Sequence, residues 1–319
     1  MYKLNILDLI KGSFIWIVVF SIVLYAALIF WSDVSKISEQ FIHVRIELVM
    51  LVFAVGIISH ATRILRQKEL LQTVKEKLSL KQNFIVYLAG LVLIFTPGGI
   101  GLFIKAHFLK QKFNVENNKS FPVIFMERLH DLIAVTTIIF VSLIVTFSWL
   151  STSLLIISSI LSLGVYLLVC NRTIFSSVEK KLSKIKLVSE KLSKFSPNES
   201  FFLLTRPKPM TKNWLISVTG WGLDALAVYI GFLAFNVDLG YILTSQIYFT
   251  SLGYGILSLI PGGMGVTEGI AEYLLVKNGL AISLASSLVI FTRLVTIWFA
   301  TSIGIIFTRL VFKQKIKIS

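Results

Sequence analysis

The 319-residue sequence has few of the residues on which soluble enzymes and secreted domains rely. It contains one cysteine, Cys170, which excludes an intrachain disulfide and a cysteine-based metal site. Charged residues make up 15% of the chain, where a soluble domain carries roughly 25%. It has no Asp-x-Asp pair, Gly-x-Ser-x-Gly elbow, nucleotide-binding loop or His/Cys cluster, and His107 and His130 lack metal-ligand spacing. We therefore expect no enzyme activity, no cofactor and no bound metal.

Apolar sequence is abundant instead. Hydrophobic residues make up 55% of the chain, and they come in runs of about 18 to 25, the length that crosses a ~30 Å hydrocarbon core. We predict an all-α integral membrane protein with a single membrane domain over residues 1–319. Its apolar segments are approximately 14–31, 45–64, 83–109, 122–147, 150–170, 213–235, 241–276 and 281–308.

The first apolar segment, 14–31, has to be distinguished from a signal peptide because Lys3 and Lys11 precede it. The segment is longer than a usual signal core, and no small-x-small cleavage site follows it. We predict that it is retained as the first membrane span.

Two of the apolar segments are interrupted by the same tripeptide. Pro97-Gly98-Gly99 lies inside 83–109, and Pro261-Gly262-Gly263 lies inside 241–276. Proline lacks an N–H and clashes with the preceding turn, and glycine is a poor helix former. A helix break is predicted at each site.

The distribution of basic residues predicts the topology. The net charge is +15, and most Lys and Arg residues occur in loops between apolar runs, which favours anionic lipid rather than nucleic acid as the counter-charge. If all eight segments crossed the membrane, loop 171–212 with its ten Lys or Arg would lie outside. If each broken segment dips in and returns, loops 65–82, 110–121 and 171–212 all lie inside. We therefore predict six spans and two re-entrant helical hairpins in the plasma or inner membrane, with both termini cytoplasmic.

The basic cytoplasmic segment 171–212 contains an amphipathic pattern. Apolar residues recur every three to four positions between Val178 and Phe195, among six lysines. This spacing is typical of a helix that lies on an anionic membrane surface. A solvated helix that packs on the rest of the protein would show the same pattern, and both interpretations stay open.

The sequence also contains an internal repeat. Pro97-Gly98-Gly99-Ile100-Gly101 returns 164 positions later as Pro261-Gly262-Gly263-Met264-Gly265. A second motif, Val-Ile-Phe followed closely by an arginine, leads to Arg128 in the first unit and to Arg293 in the second. We place repeat A at about 45–147 and repeat B at about 213–308. With the predicted topology the two repeats are inverted, as in many secondary transporters, whose substrate lies at the repeat interface.

The broken helices define the candidate site. Non-helical backbone at membrane depth is tolerated only where it is buried in protein or lines a polar cavity, and the N-terminus of a half-helix can bind a phosphate. The Pro-Gly-Gly sequences therefore contact an anion or only make the turn, and both interpretations stay open. The predicted substrate-binding residues are Pro97, Gly98, Gly99, Gly101, Lys105, Arg128, Pro261, Gly262, Gly263, Gly265 and Arg293.

Carboxylates inside apolar segments are candidates for charge balance or proton coupling, because such charges are rare in membranes and usually face an interior. They are Glu127, Asp131, Asp224, Glu268 and Glu272. Arg128 can pair with Asp131 three residues later, whereas Asp224 has no partner close in sequence. The alternative is that Arg128 and Arg293 only satisfy carboxylates and hairpin carbonyls.

These motifs, in this order, resemble the transmembrane region of lysylphosphatidylglycerol synthases, a family also described as flippase-like or UPF0104 proteins. The matching residues are Thr96–Gly101 with Lys105, Glu127–Leu129 with Asp131, Leu259–Gly269, and Arg293. The likeness covers roughly residues 10–310. The chain departs from the family at Leu102, where relatives often carry an acidic residue.

The resemblance implies transfer of lipids between leaflets. Its two-domain members are linked to aminoacylated phosphatidylglycerol, and single-domain relatives are linked to polyprenyl-phosphate or other lipids. This sequence contains no aminoacyl transferase domain, so we expect no lysine transfer. We expect a flippase or scramblase for an anionic phospholipid or a polyprenyl-phosphate-linked lipid. Two alternatives stay open: a non-transporting subunit that docks a lipid-modifying enzyme, and a membrane enzyme that itself modifies lipids or glycans.

Overall fold

A computed structural model describes residues 34–171 and 199–313, and within these ranges the chain is helical with short connections. The predicted first span, 14–31, and the amphipathic pattern between Val178 and Phe195 lie outside the described residues. The helices are α1 (Val34–Ile42), α2 (Ile46–Thr73), α3 (Leu80–Gly90), α4 (Ile104–Phe113), α5 (Asn117–Val145), α6 (Trp149–Cys170), α7 (Glu199–Leu204), α8 (Pro207–Ala234), α9 (Tyr241–Leu257), α10 (Val266–Lys277), α11 (Ile282–Arg293) and α12 (Phe299–Lys313).

Five stretches are long and apolar enough to cross a membrane. They are Ile46–Thr73, Asn117–Val145, Trp149–Cys170, Pro207–Ala234 and Ile282–Arg309. Each coincides with a predicted apolar segment that lacks Pro-Gly-Gly. The last of them joins α11 to α12 through a π-helical turn at Leu294–Trp298. These helices confirm a multi-pass, all-α membrane architecture.

The two segments that contain Pro-Gly-Gly fold back on themselves. Helices α3 and α4 pack against each other on either side of the first break, and α9 and α10 do so on either side of the second. We name these pairs hairpin A (α3 and α4) and hairpin B (α9 and α10). The helix breaks predicted at both sites are therefore present.

The boundaries of hairpin A follow from local sequence. Ser79 and Gln82 form a capping box, in which Ser79 Oγ accepts a hydrogen bond from the Gln82 N–H and Gln82 Oε1 accepts one from the Ser79 N–H. At the other end α4 stops at Asn114, which adopts a left-handed conformation with φ 54°. The first limb of hairpin A continues beyond Gly90 as a short 3₁₀ turn, Leu91–Leu93.

One predicted boundary was wrong. Residues 65–82 were expected to form a cytoplasmic loop, but α2 continues to Thr73. Arg66 therefore lies on a helix and is completely buried. The boundary was wrong because a basic residue at the end of an apolar run was assigned to the following loop. A helix can extend past such a run when the charged side chain has an ion-pair partner.

Helices α2 and α8 pack against each other along much of their length and form the centre of the fold. Around them, one apolar core joins α2 and α8 to α10 and α11, and a second joins the limbs of hairpin A to α5 and α7. Charged side chains of α2, α5 and α8 lie between these apolar cores, as described below.

Candidate functional site

The two Pro-Gly-Gly breaks share the same backbone conformation. Gly98 and Gly262 have φ values of 58° and 65°, in the left-handed region that favours glycine. Each break is closed by a turn hydrogen bond of 2.8 Å, from Gly99 N–H to Thr96 O in the first and from Gly263 N–H to Ile260 O in the second. The repeat seen in the sequence is therefore also a repeat of local structure.

The two breaks also lie against each other. The segment Pro97–Phe103 contacts the segment Pro261–Gly263. A methyl group placed on Gly98 would lie 3.8 Å from Leu259 Cδ2, next to the second break. The predicted substrate-binding residues of the two breaks are far apart in the sequence, but the fold brings them together at the tips of the two hairpins.

Lys105, just after the first break, is buried in an ion pair with Glu127 of α5. The side chains are 1% and 0% exposed. Lys105 Nζ also donates a hydrogen bond to Gln67 Oε1 at 3.0 Å and lies 5.3 Å from the centre of the Tyr87 ring. Gly90 leaves room for this lysine, since a methyl group there would lie 2.3 Å from Lys105 Cγ. Lys105 is therefore already neutralised by the protein.

Asp131 of α5 is shared by two arginines. Its Oδ1 accepts hydrogen bonds from Arg66 Nη1 at 2.5 Å and from Trp221 Nε1 at 2.9 Å. Its Oδ2 lies 2.8 Å from Arg128 Nη2. The pairing of Arg128 with Asp131 predicted from their spacing is present, but Arg66 binds the other oxygen of the same carboxylate.

Asp224 of α8 has a partner that its local sequence does not reveal. Arg63 Nη2 of α2 donates a hydrogen bond to Asp224 Oδ2 at 2.5 Å, and Ser59 Oγ contacts the other carboxylate oxygen. The Arg63 guanidinium also stacks 4.5 Å from the centre of the Trp221 ring. Because Trp221 donates to Asp131 as well, the Arg63–Asp224 and Arg66–Asp131 pairs form one network.

Arg293 and Glu268 hold the second break. Arg293 Nη2 donates to Gly262 O at 2.5 Å, and Arg293 Nε lies 2.8 Å from Glu268 Oε1. Glu268 Oε2 accepts a hydrogen bond from the Gly265 N–H at 2.7 Å and so caps α10. This geometry matches the alternative in which Arg293 satisfies a carboxylate and a hairpin carbonyl. Glu272, one turn further along α10, accepts a hydrogen bond from Ser286 Oγ at 3.0 Å.

The remaining predicted residues mostly shape the breaks. The Gly101 N–H, which could have faced an anion, donates to Thr96 Oγ1 at 2.6 Å. Leu102, the position at which the sequence was expected to depart from the family, is buried among apolar side chains.

The ion pairs described above contain one more cation than carboxylates. Five cations (Arg63, Arg66, Lys105, Arg128 and Arg293) are paired with four carboxylates (Glu127, Asp131, Asp224 and Glu268). The excess arises at Asp131, which serves two arginines. Of these two, Arg66 is fully buried, whereas the Arg128 side chain is 31% exposed. Arg128 is therefore the cation with capacity left for an external anion.

Several buried polar atoms near this point have no hydrogen-bond partner among residues 34–171 and 199–313. They are Arg66 Nε and Nη2, Glu127 Oε1, His130 Nε2 and Asn213 Oδ1. Buried polar groups are normally satisfied by protein or by ordered water. The contact region of α2, α5 and α8 therefore contains polar groups that ordered water would satisfy.

Sequence reasoning missed Arg63, Arg66, Gln67 and Trp221 as parts of this site. Arg63 could have been found, because it lies within the apolar run 45–64, where a charge needs a partner. Gln67 and Trp221 carry no such signal, since neutral polar and aromatic residues are common in membrane helices.

Comparisons with known proteins agree with the membrane architecture. The sequence model of the lysylphosphatidylglycerol synthase TM region matches residues 18–304, which contain the whole network and both breaks. A UPF0104 membrane protein of Pyrococcus horikoshii is 23% identical over 319 residues, covering 90% of this chain and 94% of the relative. A UPF0104 membrane protein of Methanocaldococcus jannaschii is 22% identical over 327 residues, covering 96% of each chain.

Proposed function

Because the chain belongs to the family of the lysylphosphatidylglycerol synthase transmembrane region, we propose that it moves a lipid with an anionic, phosphate-bearing head group between membrane leaflets. The observation that carries this proposal is the buried charge network beside the two broken hairpins, in which the partly exposed Arg128 shares the carboxylate of Asp131 with Arg66. A phosphodiester carries one negative charge and would balance the excess cation of these ion pairs.

The depth of the network supports a role in transfer across the bilayer. Asp224 lies eleven residues from either end of the apolar segment 213–235, and Glu127 lies five residues inside the apolar segment 122–147. At 1.5 Å per residue, Asp224 is about 16 Å from either end of its segment, which is close to half of a ~30 Å hydrocarbon core. A charged head group needs polar surroundings at this depth, where hydrocarbon would otherwise oppose its passage.

We assign Arg128 the contact with the lipid phosphate. Arginine suits this role because its planar guanidinium can donate two hydrogen bonds to phosphate while it remains charged. Lys105 and Arg293 are then positioning residues, because Lys105 fixes hairpin A to α5 and Arg293 fixes the second break. Glu127, Asp131, Asp224 and Glu268 balance these cations.

The proposed mechanism uses the repeats as moving units. Hairpins A and B enter the membrane from opposite sides, as the charge distribution of the sequence indicates, and both termini are cytoplasmic. Rocking of one repeat against the other would expose Arg128 to each leaflet in turn. The π-helical turn that follows Arg293 is a local departure from α-helical geometry where such a movement could be absorbed.

A leaflet-transfer assay tests the proposal. The purified protein would be reconstituted into liposomes that carry fluorescent phosphatidylglycerol, fluorescent polyprenyl phosphate or, as a neutral-charge comparison, fluorescent phosphatidylcholine. Chemical bleaching from outside then measures how much probe leaves the inner leaflet. We expect wild-type protein to transfer at least one of the two anionic lipids faster than phosphatidylcholine.

The variants sharpen this assay. Arg128→Gln should reduce transfer of the anionic lipid at least about tenfold, because a charge-assisted hydrogen bond to phosphate is worth roughly 1.5–3 kcal/mol. Arg45→Gln is the matched control, since Arg45 is exposed and pairs only with the exposed Glu47 in the structure described. Normal transfer by Arg128→Gln, or no transfer of either anionic lipid by folded wild-type protein, would contradict the proposal.

A further inference from the structure

A groove lies beside hairpin A, separate from the charge network. It has a volume of about 570 Å³ and is formed by α4, by the end of the first break, and by the start of α5. Its lining residues are Phe103, Ala106, His107, Lys110, Gln111, Asn114, Asn117 and Phe121. The groove lies next to residues 110–121, which the charge pattern predicts to be cytoplasmic.

The polar part of the lining is rich in amides. Gln111, Asn114 and Asn117 are exposed, and each side-chain amide offers two donors and an acceptor. Adjacent hydroxyl groups of a polyol or sugar present the same combination of donors and acceptors. Three amides in the lining of one groove therefore suit a ligand with several hydroxyl groups.

The groove also favours negative charge. Lys110 contributes an ammonium group, and His107 contributes a ring nitrogen. No aspartate or glutamate is present among the lining residues, all of which fall within the described part of the chain. A lysine beside several neutral donors is suited to a phosphate group.

Two aromatic rings form the apolar part of the groove. The centres of the Phe103 and Phe121 rings are 5.0 Å apart, with an angle of 30° between the ring planes. Both side chains are partly exposed. Aromatic rings offer an apolar surface, on which the C–H groups of a glycerol or sugar can pack while its hydroxyls face the amides.

The groove lies in line with Arg128. Asn117, Phe121 and Arg128 are four and then seven residues apart, so they occur on one face of α5. The distance from Asn117 to Arg128 is about 16 Å along the helix axis. Ile124 lies on the same face between them and is completely buried. The groove and Arg128 are thus separated by a stretch of α5 that is covered in this structure.

We propose that this groove binds the polyol-phosphate part of a ligand, such as phosphoglycerol or a sugar phosphate, and holds it before the phosphate passes to Arg128. The inference rests on the proposed lipid transfer, because it identifies the head group of the transferred lipid. It adds a binding site at the cytoplasmic end of the pathway and a requirement for hydroxyl groups next to the phosphate.

Equilibrium binding tests this inference without any measurement of transfer. Tritiated phosphatidylglycerol would be bound to the detergent-purified full chain and detected by scintillation proximity. Unlabelled phosphatidylglycerol, phosphatidic acid, glycerol phosphate and glucose 1-phosphate would serve as competitors. Phosphatidic acid carries the phosphate without the polyol, and the two soluble compounds carry the polyol phosphate without the lipid.

The variants remove the amides without altering the backbone. Asn114→Gly deletes the side chain, and glycine adopts the φ of 54° at this position without strain. It would be combined with Gln111→Ala and Asn117→Ala, and Lys110→Gln would be made separately. Lys81→Gln is the matched control, because Lys81 is also exposed on hairpin A but does not line the groove. Monodisperse gel filtration establishes that each variant is folded.

We expect the triple variant to bind phosphatidylglycerol at least about tenfold more weakly, since three hydrogen bonds are lost. Lys110→Gln should weaken binding several-fold, and Lys81→Gln should have no effect. Phosphatidic acid should compete more weakly than phosphatidylglycerol. Competition by glycerol phosphate or glucose 1-phosphate would support binding of the polyol phosphate in the groove and would identify the preferred polyol. Competition by phosphatidylglycerol but by neither soluble compound would show that the ligand is the lipid head group rather than a free polyol phosphate.

Two results would overturn the inference. One is unchanged binding by the folded triple variant, and the other is equal competition by phosphatidic acid, which would reduce the site to a phosphate contact. Either result leaves the proposed function intact if the wild-type protein still transfers lipid. Conversely, groove-dependent binding without any leaflet transfer would contradict the proposed function but not the groove.

Discussion

The buried pair of Lys105 and Glu127 allows a quantitative test of how the charge network holds hairpin A in place. The two side chains are 1% and 0% exposed, and besides Glu127 the lysine has one neutral hydrogen-bond acceptor, Gln67, among the described residues. Removal of one partner from a buried ion pair leaves an uncompensated charge and typically destabilises a protein by about 3–5 kcal/mol. We therefore expect Lys105→Met and Glu127→Leu each to lower the free energy of unfolding by about that amount.

The double variant should behave differently. Replacement of both charges by apolar side chains of similar size is often neutral or stabilising in a buried site. We expect the combined Lys105→Met and Glu127→Leu protein to regain most of the stability that either single variant loses, within about 1–2 kcal/mol of wild type. The assay is reversible unfolding by SDS in mixed micelles, followed by circular dichroism.

The result that would refute this reasoning is additivity. If the losses in the two single variants simply add in the double variant, the side chains do not interact and the ion pair contributes nothing to the position of hairpin A. Arg45→Gln and Glu47→Gln provide a comparison, because this pair is exposed and we expect no measurable change from either. Leaflet transfer by the stable double variant would further show that the charges of Lys105 and Glu127 are not needed for transfer.

Three further pairs of substitutions, each compared within the pair, extend these tests. Gly90→Ala should destabilise the protein by about 1–3 kcal/mol in the same unfolding assay, because a methyl group would lie 2.3 Å from Lys105 Cγ, whereas Gly56→Ala has nothing within 4 Å and should be harmless. Gly262→Ala should lower the free energy of unfolding by about 1–2 kcal/mol, because φ is 65° at Gly262. Gly269, in the helix that follows, has no positive φ and open space around it, so an equal effect of Gly269→Ala would contradict this explanation. Arg63→Gln should destabilise the protein as strongly as Asp224→Asn, because the two are partners at 2.5 Å; a large difference between them in thermal stability would mean that the pair does not act as a unit.

Local chemistry explains which parts of this molecule could be predicted. The helix breaks were predictable because Pro-Gly-Gly disfavours a helix in any context, and the Arg128–Asp131 contact was predictable because residues three apart share a helix face. Apolar run length predicted the five described spans in the same way.

Pairing between distant helices could not be predicted in this way. Asp224 pairs with Arg63, which is 161 positions away in the sequence, and Asp131 pairs with Arg66, which is 65 positions away. Nothing in the spacing of either residue indicates its partner, because the contact depends on how α2 packs between α5 and α8. The same long-range packing decides that Arg128, rather than Lys105 or Arg293, retains capacity for an external anion.

The predicted insertion of the two hairpins from opposite sides is the step on which alternating access depends, and cysteine labelling can test it directly. In a Cys170→Ser background, single cysteines would replace Lys77 and Glu116, which flank hairpin A, and Asp238 and Lys277, which flank hairpin B. All four residues are exposed on connections or at helix ends. Re-entrant hairpins require that the two members of each pair react with a membrane-impermeant maleimide from the same side, and inversion requires that the pairs react from opposite sides.

Spanning segments would give a different pattern, since a segment that crosses the membrane places its flanking residues on opposite faces. Labelling of Lys77→Cys and Glu116→Cys from opposite faces would therefore contradict hairpin A as a re-entrant element. Labelling of all four positions from one face would contradict the inverted relation of the repeats. In either case Arg128 could not be exposed to the two leaflets in turn by rocking of symmetric units, and a transfer mechanism would need an open groove along the protein surface instead.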